Sequence, residues 1–287
     1  MTSDLPALVR GAATILAEAG VASPRHDAEE LAAHALGVRR VNLVLPPPLP
    51  PGFSAAYAEL IERRRRREPL QHITGTTTFR YLDLLVRPGV FVPRPETEVV
   101  AQAAIDEAAR TPRARVVDLC TGAGGIALSV ASEVPGSRVW ALDLNPAALD
   151  LARANAERAG AAVTVLAADV RDPALGGLVA ELAARCDVVV SNPPYIPPDA
   201  VPTEPEARDH DPDLALYGGG RDGLEVPAHV IAAAAGLLRP GGLLVMEHAD
   251  VQGAAARGLA DRDGRFTDIE TRPDLTGRDR ILLARRR

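Results

Sequence analysis

The sequence has no lysine, so all of its 32 basic residues are arginines. Acidic residues outnumber them, and the formal net charge at pH 7 is -6. This negative balance does not favour a protein that grips nucleic acid irrespective of base sequence. No uncharged apolar stretch reaches the ~20 residues that a membrane-spanning helix needs. We therefore expect a protein that neither crosses a membrane nor binds nucleic acid stably.

Cysteine is also scarce, with only Cys120 and Cys186 in the chain. Two isolated cysteines exclude a disulfide framework and a Cys-x-x-Cys metal site. The first residues include Asp4, Arg10 and Glu18 and do not follow the pattern of a secretory signal. We expect a cytoplasmic protein, because that compartment keeps thiols reduced, and we expect no bound metal.

An apolar run at 188–190 is followed by the sequence Ser-Asn-Pro-Pro-Tyr at 191–195. β-Branched residues closed by asparagine and proline predict a buried strand that stops at its carboxyl end, the edge where open α/β sheets bind ligands. The Asn192 side-chain oxygen and the Pro193 carbonyl oxygen are two acceptors for one planar NH2 group, with the Tyr195 ring beside it. The alternative is an ordinary turn, which Asn-Pro-Pro commonly forms. The predicted catalytic residues are Asn192, Pro193 and Tyr195, and the predicted substrate-binding residues are Asn192, Pro193, Pro194 and Tyr195.

Asn-Pro-Pro-Tyr at this place resembles the motif of methyltransferases that use S-adenosylmethionine to methylate a nitrogen in a planar system. That class includes enzymes acting on DNA or RNA bases and the HemK/PrmC-type enzymes that methylate a glutamine of release factors. Two further segments resemble the HemK/PrmC-type family and are absent from DNA methyltransferases: Glu-Pro-Leu-Gln-His-Ile-Thr-Gly at 68–75 and Phe-Val-Pro-Arg-Pro-Glu-Thr-Glu at 91–98. The similarity continues at 211–224, 239–242 and 247–248.

The chain changes its pattern twice. Apolar residues recur at helical spacing up to about residue 67. Alternating apolar residues begin at Phe79, and a second run at 90–92 follows Arg-Pro-Gly at 87–89, which predicts a β-hairpin. We therefore expect a helical substrate-recognition domain at 1–70, a β-hairpin linker at 71–95 and a methyltransferase domain at 96–287.

The last of these segments alternates between strand and helix patterns, as in a doubly wound α/β sheet. Strands are predicted at 114–119, 138–143, 163–169, 187–192, 242–247, 265–271 and 280–284. Helices are predicted at 97–110, 124–132, 146–159, 173–184 and 224–238. The resemblance implies the class I fold of S-adenosylmethionine-dependent methyltransferases, a Rossmann-like sheet whose last strand is antiparallel.

A glycine-containing loop follows the first strand, and acidic residues end the first three strands. Asp118 at the mouth of the loop would repel a pyrophosphate but suits the ammonium group of a methionine moiety. Asp143 is placed to accept from ribose hydroxyls, and Asp169 is placed to accept from an adenine amino group. The resemblance implies S-adenosyl-L-methionine as cofactor and S-adenosyl-L-homocysteine as product, although relatives usually have glycine at the position of Cys120. The predicted cofactor-binding residues are Asp118, Cys120, Thr121, Gly122, Ala123, Gly124, Asp143, Asp169, Val170 and Asn192.

The resemblance also implies an activity, the N5-methylation of the glutamine in the Gly-Gly-Gln loop of bacterial class 1 release factors. Release factors 1 and 2 are then the expected protein partners, and we expect the enzyme to be a monomer. The alternative function is that of an amino-methyltransferase acting on a DNA or RNA base. A nicotinamide or flavin oxidoreductase is disfavoured by Asp118, and a noncatalytic protein is disfavoured because Asn192 and Pro193 are both present.

A run of arginines and two histidines also invite functional hypotheses. The five arginines at 63–67 suit a nucleic-acid contact, but a solvated helix end is the commoner explanation of such a run. His210 and His248 are candidate bases by residue type, and a structural role is the favoured interpretation of both.

Overall fold

The structure is a computed structural model that describes residues 4–173, 175 and 182–287. The chain forms two compact units. The first comprises the residues up to Thr76 together with Pro202–His210, and the second comprises Thr77–Val201 and Asp211–Arg287. None of the helices in the described ranges is long and apolar enough to cross a membrane.

The helices, in chain order, are α1 (Leu5–Glu18), α2 (Pro24–Leu36), α3 (Phe53–Arg65), α4 (Leu70–Thr74), α5 (Glu98–Ala108), α6 (Gly125–Glu133), α7 (Pro146–Ala159), α8 (Pro205–His210), α9 (Asp213–Leu216), α10 (Glu225–Leu237) and α11 (Gly253–Asp263). The strands are β1 (Thr76–Phe79), β2 (Leu82–Leu85), β3 (Arg115–Leu119), β4 (Arg138–Asp143), β5 (Val163–Ala167), β6 (Cys186–Ser191), β7 (Leu238–Glu247), β8 (Phe266–Pro273) and β9 (Asp279–Arg286). Short 3₁₀ turns occupy Pro95–Thr97 and Asp250–Gln252.

Helices α1 to α4 of the first unit pack around an apolar core. Leu16, Leu31 and Phe53 are almost completely buried in it. The Tyr57 ring stacks on Phe53 with 5.4 Å between the ring centroids, and its hydroxyl donates to the Ala28 carbonyl oxygen over 2.8 Å. Tyr57 therefore joins α2 to α3 both by packing and by a hydrogen bond.

Every arginine of the run at 63–67 has a carboxylate partner within the first unit. The partners are Glu68 for Arg63, Asp27 and Glu206 for Arg64, Glu62 for Arg65 and Arg66, and Glu206 for Arg67. The side chain of Arg64 is only 8% exposed, and it contacts both of its partners at 2.7 Å. The expectation of a solvated helix end is therefore wrong for Arg64, because its charge is paired inside the unit. Such pairing also leaves the run with little positive charge to attract a phosphate backbone.

Seven strands of the second unit form one mixed sheet in the order β5-β4-β3-β6-β7-β9-β8. The pairings from β5 to β7 are parallel, whereas β9 is antiparallel to both β7 and β8. The central strands β3, β6 and β7 carry runs of Val and Leu that are buried because both faces of the sheet are covered there. Val116, Val188 and Val190 pack on one face, and Val117, Val189 and Leu244 pack on the other. This architecture confirms the predicted fold class, including the antiparallel last strand.

The hairpin differs from its prediction. β1 pairs with β2 across a turn that contains Arg80 in the left-handed conformation, with φ of 52°, and residues 90–92 form no strand. Val90 and Val92 are each buried instead, so their alternation reflects packing and not strand pairing. Most of the helix predicted at 173–184 falls on residues outside those that the structure describes.

Candidate active site

A cavity of about 310 Å³ lies at the carboxyl ends of the parallel strands in the second unit. The predicted site residues that line it are Cys120, Thr121, Gly122, Ala123, Asp143, Asp169, Val170, Asn192, Pro193, Pro194 and Tyr195. The sheet thus brings together residues from the loops after β3, β4, β5 and β6, because the carboxyl ends of these parallel strands lie at the same edge. Of the predicted residues, Asp118 and Gly124 do not belong to this lining.

Asp118 lies beneath the glycine-containing loop, and its side chain is completely buried. Its Oδ2 accepts hydrogen bonds from the Thr121 hydroxyl over 2.6 Å and from the Ala127 N–H over 3.2 Å. Burial raises the pKa of Asp118 to about 7, and its Oδ1 finds no partner among the described residues. The expected position at the mouth of the loop is therefore revised. Asp118 fixes the loop and the first turn of α6 from below.

Asp143 ends β4 and binds two backbone amides. Its Oδ2 accepts from the Gly122 N–H and its Oδ1 accepts from the Asn145 N–H, both over 2.8 Å. Asn145 in turn caps α7, since its side-chain oxygen accepts from the Ala147 N–H over 3.0 Å, as its place before Pro146 predicts. Burial raises the pKa of Asp143. The carboxylate therefore ties the glycine-containing loop to the start of α7 while it lines the cavity.

Asp169 and Val170 line the cavity beyond β5. The Asp169 carboxylate is held by Arg171, whose Nε lies 2.9 Å from Oδ1 and whose Nη2 lies 2.7 Å from Oδ2. Hydrogen bonds from this guanidinium lower the pKa of Asp169, so the carboxylate stays ionised near neutral pH. Arg171 also lines the cavity, and the sequence patterns did not predict it.

Cys120 adopts the left-handed backbone conformation, with φ of 60°. A residue other than glycine is less stable there by about 1–2 kcal/mol, which agrees with the expectation that relatives have glycine at this position. The thiol packs beside the apolar core under the loop. Burial raises the pKa of this thiol well above its usual range, so Cys120 lines the cavity with a small, uncharged side chain.

Asn192 begins a chain of hydrogen bonds that ends at a buried carboxylate. Its Nδ2 donates to the Thr97 Oγ1 over 3.1 Å, and the Thr97 hydroxyl donates to the Glu247 Oε2 over 2.8 Å. Thr97 closes the 3₁₀ turn before α5, and Glu247 is the last residue of β7. Glu247 is 1% exposed, and burial raises its pKa to about 7. Two residues that lie far from Asn192 in the sequence therefore hold its amide.

Tyr195 contacts the same carboxylate. Its hydroxyl donates to the Glu247 Oε1 over 3.2 Å. Burial and the neighbouring charge of Glu247 raise the pKa of Tyr195, so the hydroxyl remains a donor. Both oxygens of Glu247 thus accept hydrogen bonds from hydroxyl groups, one from Thr97 and one from the tyrosine of the Asn-Pro-Pro-Tyr segment.

Two glycines allow a second loop to lie directly against the backbone of this segment. A Cβ at Gly223 would lie 2.2 Å from the Tyr195 carbonyl oxygen, and a Cβ at Gly218 would lie 2.6 Å from the Pro194 carbonyl oxygen. The Gln252 Nε2 donates to the same Tyr195 carbonyl oxygen over 2.8 Å. Any side chain at either glycine would therefore displace the segment.

Neither of the two histidines considered as a base lines the cavity. His248 is completely buried, burial lowers its pKa, and its Nδ1 lies 2.8 Å from the Ala249 carbonyl oxygen. His210 belongs to the first unit, where its ring meets the edge of the His72 ring. These positions agree with the structural interpretation of both histidines.

Two protein-family models match the chain, the PrmC N-terminal domain over residues 7–75 and the Methyltransferase small domain over residues 82–204. A "Release factor glutamine methyltransferase" of Bifidobacterium longum is 44% identical, and the alignment covers 96% of this chain and 98% of that protein. A protein of the same name from Mycolicibacterium smegmatis is 48% identical over 97% of this chain and 96% of its own length. This chain belongs to the release factor glutamine methyltransferase family. The family predicted from the sequence is confirmed.

A solved structure of a methyltransferase from Pyrococcus furiosus is similar to this chain with a TM-score of 0.53 and 17% identity. The similarity covers 78% of this chain and 98% of the other, and it shows the shared fold alone. The relatives by sequence favour membership of a glutamine methyltransferase family over that of a DNA or RNA base methyltransferase.

In this member of the release factor glutamine methyltransferase family, the site includes residues that spacing arguments did not find. They are Thr97, Arg171, Glu247 and Gln252. For Thr97 and Glu247 a signal did exist, because both lie in segments, 91–98 and 247–248, that resemble the family. Nothing in the periodicity of either segment indicates that their side chains meet.

Proposed function

We propose that this protein transfers a methyl group from S-adenosylmethionine to the side-chain amide nitrogen of the glutamine in the Gly-Gly-Gln loop of bacterial class 1 release factors. One observation carries the proposal: a single cavity joins Asn192 and Pro193 to the strand-end carboxylates Asp143 and Asp169. The names of two relatives that are similar over nearly their whole length support this choice of substrate.

The cavity suits S-adenosylmethionine in its size and in its polar groups. Its volume of about 310 Å³ is typical of small-molecule sites. We propose that Asp143 accepts from the ribose hydroxyls, that Asp169 accepts from the adenine amino group and that Val170 packs on the adenine ring. The backbone of residues 120–123 and the side chain of Asn192 border the methionine end in this proposal, and Gly124 is proposed to shape the loop behind them. When bound, the cofactor supplies a methyl group activated by a positively charged sulfur.

We propose that Asp118 acts on this site from beneath the loop. Its Oδ2 fixes Thr121 and the start of α6, and its Oδ1 is a buried acceptor without a partner in the described structure. A carboxylate in this position favours a cation on the other side of the loop, because the interaction is weakly screened where water is excluded. A pyrophosphate would be disfavoured for the same reason.

The Asn-Pro-Pro-Tyr segment is proposed to hold the substrate. An amide nitrogen is a weak nucleophile because its lone pair is delocalised into the carbonyl group. The Asn192 Oδ1 and the Pro193 carbonyl oxygen each accept one N–H of the substrate NH2 group, which aligns the nitrogen and stabilises the positive charge that develops on it. The Tyr195 ring packs beside the planar amide. The nitrogen releases a proton to solvent once its bond to the methyl group has formed, so the site requires no dedicated base.

The helical domain at 1–70 is proposed to recognise the folded release factor, and the segment at 71–95 is proposed to link it to the methyltransferase domain at 96–287. Short helices that pack around an apolar core of their own suit a docking role. We propose release factors 1 and 2 as the substrates and a monomer as the active form.

The experiment that tests the proposed function is mass spectrometry of release factors 1 and 2 after incubation with the purified protein and S-adenosylmethionine. We expect the mass of one methyl group to be added to the peptide that contains Gly-Gly-Gln, at its glutamine. Unmodified release factors under conditions in which the protein binds the cofactor would refute the proposed substrate. Methylation of a DNA or RNA base would return the function to the alternative class.

A further inference from the structure

We infer that Thr97 and Glu247 are positioning residues that determine which end of the Asn192 amide faces the reacting nitrogen, an inference that rests on the proposed function. Three hydrogen bonds connect these residues, and each has a defined donor. Asn192 Nδ2 donates to Thr97, Thr97 donates to Glu247 Oε2, and the Tyr195 hydroxyl donates to Glu247 Oε1. All three bonds run towards the buried carboxylate.

The direction follows from the chemistry of the groups. An ionised carboxylate can only accept hydrogen bonds, whereas a hydroxyl has a single hydrogen and two lone pairs. Because the hydrogen of Thr97 is taken by Glu247, Thr97 offers Asn192 only a lone pair. The amide must then present its NH2 group to Thr97, and its oxygen is left as the acceptor at the other end.

The orientation of this amide matters because the substrate is itself an NH2 donor. An Asn192 amide rotated by half a turn would present its own NH2 group to the substrate, and two donors would oppose each other. The misoriented site would fail to stabilise positive charge on the nitrogen. Glu247 therefore imposes, through Thr97, the polarity that the proposed reaction requires.

The direction of these hydrogen bonds also depends on the protonation state of Glu247. The charged groups facing its carboxylate are Arg280 on β9 and Glu96 in the turn before α5, together with the Tyr195 hydroxyl. Burial raises the pKa of Glu247 to about 7. A protonated Glu247 can donate a hydrogen bond from one of its oxygens. The Thr97 hydroxyl then no longer has to donate to Glu247, and the orientation of the Asn192 amide is no longer fixed. We therefore expect kcat to rise with pH across neutrality, and we expect Glu247→Gln to remove that rise.

The kinetic test uses the full chain, purified release factor and saturating S-adenosylmethionine. Thr97→Val keeps the shape of the side chain but removes the hydroxyl, and Thr97→Ser retains the hydroxyl. We expect Thr97→Val to lower kcat by about 10- to 100-fold with cofactor affinity unchanged, which is the usual scale for a residue that supports a site residue. Thr97→Ser should restore most of the rate. Thr14→Val serves as the matched control, because the Thr14 hydroxyl is exposed on α1.

A double-mutant cycle separates positioning from general damage. If Thr97 acts through Asn192, Thr97→Val has no further effect on kcat once Asn192→Ala is present. Losses that multiply in the double variant would overturn the inference. A Thr97→Val enzyme with the wild-type kcat would overturn it as well.

A readout that needs no turnover keeps the inference distinct from the proposed function. The side-chain NH2 signals of Asn192 in ¹⁵N-labelled protein can be assigned by their loss in Asn192→Ala. We expect these signals to shift as Glu247 titrates near neutral pH, and we expect Thr97→Val or Glu247→Gln to abolish the shift. Signals that follow pH identically in all three proteins would refute the relay. A wild type that leaves release factors unmethylated would refute the proposed function, while the NMR result would still decide the inference.

Discussion

The Thr97 hydroxyl donates to the Glu247 Oε2 over 2.8 Å although the two residues are 150 positions apart in the chain. This bond joins the turn before α5 to the last residue of β7. Because Asn192 donates to the same hydroxyl, the acceptor of the site is oriented by groups that lie outside the Asn-Pro-Pro-Tyr segment. The motif alone is therefore an incomplete description of the site.

Asn192→Ala removes one of the two acceptors proposed for the substrate NH2 group. We expect kcat to fall by about 10² to 10³, the scale of one lost preorganised hydrogen bond in the transition state. Cofactor affinity should change little, because the glycine-containing loop, Asp143 and Asp169 remain in place. Asn192→Asp keeps an acceptor but loses the donor to Thr97, so it should recover only part of the rate. A wild-type kcat for Asn192→Ala at saturating cofactor would refute the proposed amide cradle.

Asp143→Ala should weaken the binding of S-adenosylmethionine by roughly 1.5 to 3 kcal/mol, because a hydrogen bond to a charged group is lost. The loop also loses the acceptor for the Gly122 N–H, which adds to the effect. Titration calorimetry measures the affinity directly. Asp150→Ala is the control, since the Asp150 side chain is 72% exposed on α7. Equal affinities for Asp143→Ala and the wild type would remove Asp143 from the cofactor site.

Glu247 should make the stability of the protein depend on pH. Burial raises its pKa from 4.5 to about 7, so the folded state binds a proton more tightly than the unfolded state. This contribution to stability is complete below about pH 4.5 and is lost as the pH rises through 7. The Glu247→Gln variant lacks this contribution to stability. Asp118, whose pKa is also raised by burial, contributes equally to the wild type and the variant. The free energy of unfolding of the wild type, minus that of Glu247→Gln, should therefore decrease between pH 5 and pH 8 in urea titrations. A difference independent of pH would contradict the raised pKa.

Glu206→Ala should destabilise the helical unit, in which Glu206 accepts from both Arg64 and Arg67. Although burial opposes it, hydrogen bonds from Arg67 and Arg64 lower the pKa of Glu206 to about 2. Removing the carboxylate leaves the buried Arg64 with one carboxylate partner, Asp27, and with the Glu68 carbonyl oxygen, and we expect a loss of about 1–3 kcal/mol. Urea unfolding followed by far-UV circular dichroism measures this loss in the free energy of unfolding.

The control for that experiment is Arg66→Ala, since Arg66 is 73% exposed and pairs with a partly exposed carboxylate. An exposed pair contributes at most about 1 kcal/mol. Losses of equal size in the two variants would show that Glu206 is no more than a surface charge.

A protein shortened to begin at Thr77 tests the proposed role of the helical domain. This start keeps Phe79 and Leu84, which are buried in the core of the second unit, whereas a start near Arg87 would remove them. We expect the shortened protein to bind S-adenosylmethionine with wild-type affinity but to methylate intact release factor slowly, because remote contacts orient a large substrate. A short Gly-Gly-Gln peptide should be methylated at similar rates by both proteins. Equal turnover on the intact factor would assign another role to the helical domain.

Much of the fold follows from local patterns in the sequence. β3, β6 and β7 contain continuous runs of Val and Leu, which are typical of strands that are covered on both faces. Such runs predict buried strands even when the neighbouring strands are not known. Asn145 before Pro146 marks the start of α7, because capping depends on residues a few positions apart. The strand ends then place Asp143, Asp169 and Asn192 at one edge of the sheet.

Burial and distant pairing were decided by the tertiary structure. Arg64 and Asp118 are of residue types that are usually solvated, and only the packing of other segments over them shows that one pairs inside the helical unit and the other supports a loop from below. The contact of Thr97 with Glu247 depends on how α5 packs beside β7, because a hydrogen bond requires two side chains within about 3 Å and local periodicity carries no information about that distance. The sequence by itself therefore determined which groups meet at the edge of the sheet, and the tertiary structure determined which way their hydrogen bonds run.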